Sequence, residues 1–191
     1  MNTQDRELRI QNPPWVEEVV EWQRSYTSDD EKMQLAIRLS RENVLRDTGG
    51  PFGAAVFEVG TGRLVAVGVN SVVRLNNSTL HGEIMAFMLA QHRLQSFTLG
   101  APGLPVHELV TSCEPCAMCL GATVWSGIKR LVCGARRADA SRLGFDEGPV
   151  FPDSDRYLQE RGIEVVRGVL GETAGEVLRL YRSRGGRIYN G

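Results

Sequence analysis

Two short stretches constrain this chain more than the rest of it. HGEIMAF, starting at His81, sets a histidine and a glutamate one residue apart at the head of an apolar run, and TSCEPCAMC, starting at Thr111, carries Cys116 and Cys119. Pro115 suits a helix start. The two thiols therefore fall in or near a first turn, where free backbone donors and the helix dipole favour thiolates, with both sulfurs on one side. A C-x-x-C pair alone is ambiguous between a redox dithiol and half of a zinc site. His81 decides it if its helix and the cysteine helix start at the same edge of one sheet. One imidazole and two thiolates then make three ligands, and a fourth position stays open for water, as in a catalytic zinc site. Glu83, two residues beyond His81, is placed to take a proton from that water and return it later without being a ligand.

The remaining pattern supplies such a sheet. NPPWVEEVVEWQRS has an early proline and apolar residues at helical spacing, Trp15, Val16, Val19, Val20 and Trp22, which predicts a short amphipathic helix. SDDEKMQLAIRLSRENVL predicts a second, with Ser28 and Glu31 as a capping box and Met33, Leu35, Ile37 and Leu39 as its buried stripe. These N-terminal helices fall within 13–47. FGAAVFEV and LVAVGVNSVV flank GTGR and read as an antiparallel hairpin. VHELVTS, RLVCGA and IEVVRGVL read as further strands. Between them lie the cysteine helix, a polar, glycine-containing stretch ending in FDEGP, and a short helix near DSDRYLQERG; a last helix closes the chain. Alternation after an initial hairpin predicts an α/β fold, a mixed sheet covered by helices on both faces, as one domain over 1–191. Trp125, behind the cysteines, is expected in the core. Cys113 and Cys133 are expected as plain buried thiols. His92 and His107 have no cysteine neighbours at motif spacing.

Composition excludes several function classes. Lys+Arg (22) and Asp+Glu (23) leave a formal charge of -1, so the basic footprint of general nucleic-acid binding is missing and a small neutral substrate fits better. The start, MNTQDRELRI, has no apolar h-region, and no apolar run approaches the roughly 20 residues of a membrane span, which points to the cytoplasm. Four cysteines in a chain of 191 residues are not a secreted disulfide framework. Arg179, Arg182, Arg184 and Arg187 recur at partly helical spacing and read as a solvated face.

HGE followed by PCAMC matches H-x-E…P-C-x-x-C, the signature of zinc deaminases, and the chain resembles the cytidine-deaminase-like superfamily over most of its length. The resemblance implies a three-layer α/β/α sandwich with a mixed five-stranded sheet and one Zn2+ per chain on His81, Cys116 and Cys119. It also implies a reaction in which zinc hydroxide attacks a ring carbon bearing an amino group, Glu83 shuttles the proton, and ammonia leaves. GGPFGAAVFE, GVNSVV, TSCEPCAMCLGATVWSG, GFDEGP and the tail IYNG are similar to segments of small bacterial guanine deaminases. By that likeness Asn70 holds the substrate carbonyl, Phe52 packs near the ring, and Glu147 is a second acid. Tyr189 and Asn190 then belong to a lid of about 186–191, closing over its own site or that of the partner in a homodimer. STLHGEI, with Gly82 where those enzymes usually carry Ala, is similar instead to fungal cytosine deaminases. The expected activity is hydrolytic deamination of a free nucleobase, guanine foremost, with cytosine or an amino-triazine as alternatives. A tRNA adenosine deaminase shares the motif, but the charge speaks against it. A non-catalytic zinc-binding module or a thiol redox protein would release no ammonia.

Overall fold

The structure, a computed structural model, describes residues 8–190. Helix α1 is a single turn, Val16–Val19, shorter than the spacing predicted, yet Trp15, Val16, Val19 and Val20 are all buried. Helix α2, Asp29–Leu45, starts at Ser28, whose Oγ accepts from the Glu31 backbone N–H at 3.2 Å. The Glu31 carboxylate turns back to the backbone N–H of Thr27 at 2.7 Å, so the cap closes one residue earlier than the expected box. Met33, Leu35, Ile37 and Leu39 are buried as predicted.

Strands β1 (Gly53–Glu58) and β2 (Leu64–Val69) form the antiparallel hairpin. NSVV does not extend β2. Ser71 Oγ donates to the Val69 carbonyl at 3.0 Å and its backbone N–H to Leu80 at 2.9 Å, so local bonds divert the chain into a turn. Helix α3 (Gly82–Arg93), β3 (His107–Cys113), α4 (Ala117–Ser126) and β4 (Arg130–Ala135) follow. Helix α5 (Arg137–Leu143) was not expected in the polar stretch; α6 (Ser154–Glu160) was. Strand β5 keeps only Glu164–Val166 of IEVVRGVL, and the chain then turns through Gly168 at φ 74° into α7, Gly171–Ser183.

The sheet order is β2-β1-β3-β4-β5. β1 is antiparallel to both β2 and β3, while β3, β4 and β5 are parallel. It follows that β2 runs in the same direction as β3. The chain leaving β2 toward α3 and the chain leaving β3 toward α4 therefore emerge at the same, carboxyl edge of the sheet, where open α/β sheets bind ligands. Side chains alternate between two cores. Ala55, Phe57, Val110 and Val132 pack with α1, α2 and α7; Ala54, Val56, Leu109 and Leu131 pack with α3 and Leu158 of α6. This is the three-layer α/β/α sandwich, and Cys113 and Cys133 are buried in it as expected. A buried ion network ties α2 to the sheet: Glu108 takes Lys32 at 2.5 Å and Arg130 at 2.7 Å, and Arg130 also holds Asp29 at 2.7 Å.

Trp125 corrects the sequence reading, because it is 82% exposed. Cys119, Thr123 and Ser126 occupy the inward face of α4, and Met118 and Trp125, seven residues apart, share the outward one. Among the described residues no helix is long and apolar enough to cross a membrane.

Candidate active site

The two helix starts place the donors. His81 is the N-cap of α3 and Cys116 the N-cap of α4, with Cys119 in the first turn. His81 Nδ1 lies 3.6 Å from both sulfurs, and the three donor atoms all fall within 4.8 Å of one another. A tetrahedral zinc with bonds of ~2.3 Å to sulfur and ~2.0 Å to nitrogen separates such donors by about 3.5 Å, so the spacing fits this metal. Protonation tells the same story. The Cys119 thiol donating to Cys116 is the largest influence holding Cys116 down, to about 4, and Cys119 itself is pushed well above the ordinary thiol range. Burial opposes the charge on His81, but the hydrogen bond to Cys116 and the charge of Glu83 raise its pKa overall. An electron-rich trio that shares protons across 3.6 Å is a trio a divalent cation satisfies better.

Glu83 is buried in the first turn of α3. Burial raises its pKa, and the negative charge of Cys116 raises it further. It borders a cavity of about 350 Å³ together with Phe52, His81, Cys116, Glu147 and Tyr189. Glu147 sits on a loop whose backbone is tied to α4, its carbonyl accepting from Ala117 N–H at 2.9 Å. Burial first, then the charges of Cys116 and Glu83, push its carboxyl up to about 8.

The remaining expected residues fall into different places. Phe52 lines the cavity and meets Phe145 edge-on at 5.1 Å. Phe145 also meets Tyr189 at 5.1 Å and stacks on Tyr181 at 6.1 Å, so it is the hub of the aromatic wall. Tyr189 is seated against Gly50, where an added Cβ would fall 1.9 Å from its Oη. That hydroxyl is buried and has no partner among the described residues. Asn190 spends its amide on the acid loop: Oδ1 accepts from Asp146 N–H at 2.9 Å and Nδ2 donates to Gly144 at 2.9 Å. Asn70 is fully buried beside Phe52, its backbone N–H donating to the Phe52 carbonyl at 2.9 Å. Its Oδ1 accepts from Gly50 N–H at 3.4 Å, and its Nδ2 lacks a partner among the described residues. Gly82, the departure from the guanine-deaminase pattern, has a packing reason, since a Cβ there would stand 3.2 Å from the Phe52 carbonyl.

Sequence reasoning missed Glu114 and Phe145, which also line the cavity. Both were in quoted motifs. Glu114 accepts from Arg137 N–H at 2.9 Å and from Arg167 at 2.7 Å, while Arg137 Nε donates to the Pro115 carbonyl at 2.9 Å. These bonds brace the loop that carries Cys116, and only the fold brings Arg137 and Arg167 to it. His92 is exposed, and His107 is buried with Nδ1 2.8 Å from the Leu99 carbonyl, so neither joins the donors.

Three donors at zinc spacing, beside an acid that is not one of them, define a zinc hydrolase with a position left for water. Residues 26–135 match the family model described as the cytidine and deoxycytidylate deaminase zinc-binding region, and the chain belongs to that family of zinc-dependent hydrolytic deaminases. It is 37% identical over 140 residues to guanine deaminase of Bacillus subtilis, covering 73% of this chain and 85% of that one. A solved guanine deaminase from Nitrosomonas europaea matches with TM-score 0.90 at 42% identity, over 95% of this chain and all of that one. A mutant of the protein NE0047 in complex with 8-azaguanine matches with TM-score 0.89 at 43% identity, over 93% of this chain and 98% of that chain.

Proposed function

We propose that the chain hydrolyses free guanine to xanthine and ammonia. The observation that carries this reading is the extent of the likeness to guanine deaminase. The family model stops at residue 135, but the likeness covers 95% of the chain and so reaches beyond the zinc motifs toward Phe145 and Glu147. Zinc, when bound by His81, Cys116 and Cys119, supplies the Lewis acidity that makes a water nucleophilic near neutral pH.

The chain's own groups do the rest. Glu83 takes the proton from the attacking water and hands it to the ring. Glu147, which borders the same cavity and whose carboxyl burial pushes up to about 8, donates to the departing amine. Phe52 and Phe145 hold the flat ring by their faces and edges. The unpartnered amide of Asn70 and hydroxyl of Tyr189 have hydrogen-bonding capacity for a polar heterocycle, which supports a substrate with carbonyl and ring-nitrogen edges. The segment from 186 acts as a lid on the same domain, excluding water through Tyr189 and latching the acid loop through Asn190. Ammonia release across guanine, cytosine, an amino-triazine, nucleosides and tRNA tests the reading; guanine is expected to lead, and a preference for tRNA or cytosine would overturn it.

The outward face of α4 supports a homodimer. Trp125 and Met118 stand exposed there, with Phe151 exposed on the chain that follows the acid loop, an apolar surface suited to a second copy. Sedimentation is expected to give a dimer that Trp125→Glu dissociates.

A further inference from the structure

A second cavity, of about 430 Å³, lies between the turn at 47–49, the loop after β2 and the end of α7. Its lining includes Asp47, Arg74, Arg184 and Arg187, three guanidinium groups against one carboxylate. Arg184 reaches Asp47 at 3.5 Å, and neither Arg74 nor Arg187 has an acidic partner among the described residues. Arg74 is half-buried. One of its terminal nitrogens donates to the Gln11 carbonyl at 2.5 Å and to Ser71 Oγ at 2.9 Å, while its Nε is enclosed without any partner among the described residues. A guanidinium partly drawn out of water with no anion beside it carries a desolvation cost that two hydrogen bonds to neutral oxygens offset only in part. Its planar fork matches the oxygens of a tetrahedral oxyanion.

We propose that this cavity binds a phosphate group, held by Arg74 from the loop side and by Arg184 and Arg187 from the α7 side, and that its occupancy draws the tail onto the substrate cavity. The connections run through few bonds. Arg74 is bonded to Ser71, the neighbour of Asn70, and Arg187 lies two residues before Tyr189, its carbonyl held by Tyr181 Oη at 2.6 Å. An anion shared by Arg74 and Arg187 therefore ties the loop that carries Asn70 to the tail that carries Tyr189. Phosphate then tightens the base, and the base tightens phosphate by the same factor. The phosphate site stands apart from the substrate reading; the coupling rests on it.

Calorimetry on the zinc-loaded full chain, with no base present and ionic strength held constant, tests the site. Inorganic phosphate is expected to bind saturably at one site per chain, with chloride at matched ionic strength giving no such isotherm. Arg74→Gln and the exposed Arg184→Gln are each expected to weaken it about tenfold, the loss of one charge-assisted contact. Arg184→Gln keeps the test decisive if the Arg74 variant fails to fold. Ribose 5-phosphate distinguishes the source: tighter binding than inorganic phosphate assigns the cavity to phosphomonoesters, weaker binding to free phosphate. Purely ionic-strength effects, or unchanged binding in the Arg184 variant, overturn the site. Phosphate is also expected to lower KM for guanine at constant kcat in the wild type and not in Arg184→Gln. Saturable binding with an unmoved KM overturns the coupling while the site stands, and a protein inert toward guanine fails the substrate reading while calorimetry still decides the site.

Discussion

His81, Cys116 and Cys119 stand on the first turns of two helices that leave the sheet at one edge, whereas Glu147, Tyr189 and Asn190 stand on chain without regular structure. The metal side is fixed by backbone hydrogen bonds, strand direction and the brace of Arg137 and Arg167 on the cysteine loop. The closing side is fixed by fewer and mostly side-chain contacts: one backbone bond from Ala117 N–H to the Glu147 carbonyl, the ring of Phe145 against Tyr189, and the amide of Asn190 on residues 144 and 146. Chemistry that cannot tolerate displacement sits on rigid elements, and enclosure of a ring that has to enter and leave sits on loops. Damage to the metal side should abolish the reaction, and damage to the closing side should only make it slow or weakly bound.

The largest effect is expected from Cys116→Ser. Losing a thiolate from a three-donor site should cost both metal content and turnover, read by metal analysis and ammonia release. A fully metallated, active variant would show that Cys116 is not a ligand. Glu83→Gln comes next. It leaves the donors intact, so zinc is expected to stay at about one per chain while kcat falls roughly 10²–10⁴-fold. Near-normal turnover would show Glu83 to be a bystander.

The same division governs what was legible in the sequence. The metal side could be read because each of its requirements is local: a proline before Cys116, a three-residue cysteine spacing, and a glutamate two places after His81. The sheet too was legible, since its strands are short runs rich in apolar and β-branched residues, set off by glycine-bearing and polar stretches. Three features escaped. Trp125 is outward because Cys119, Thr123 and Ser126 claim the inner face of α4, a choice made by tertiary packing and not by hydrophobicity. Arg137 and Arg167 reach Glu114 only across parallel strands. Asn190, expected in the lid through family likeness, does border the cavity, but the bonds of its amide to the acid loop, 44 and 46 residues away in sequence, could not be read from the motif.

Glu147→Gln sharpens the comparison by striking the acid that bridges the two sides. Burial holds its carboxyl up near about 8, so the group is protonated at neutral pH and loses its proton as pH rises through that value. If it serves as the acid for the leaving amine, wild-type kcat should decline on the alkaline side as this proton is lost, at a pH below about 8 once zinc offsets the Cys116 charge that helps to raise the carboxyl. The variant should be slower by about 10²-fold with KM little changed, and its profile should lack that alkaline limb. An unchanged limb would assign it to another group and leave Glu83 to carry both proton transfers.

The smallest effect, and the cleanest probe of the tail, is expected from Gly50→Ala. The added methyl carbon would fall 1.9 Å from Tyr189 Oη, so either the tail or the turn at Gly50 has to move. No donor or acid is touched. The tail is the softer of the two, because Gly50 is held on both sides: its N–H lies 3.4 Å from Asn70 Oδ1 and its carbonyl accepts from Asn43 Nδ2 at 2.9 Å. Tyr189 should therefore lift from Phe145. Losing an aromatic contact of about 1 kcal/mol corresponds to roughly a fivefold rise in KM for guanine. Zinc content should be unchanged, and a chain truncated before Tyr189 should show a rise at least as large, plus a fall in kcat from the lost Asn190 latch on the acid loop. If Gly50→Ala lowers kcat while leaving KM alone, the tail positions the acid and does not enclose the base, and the division between a rigid chemical side and a soft enclosing side breaks down.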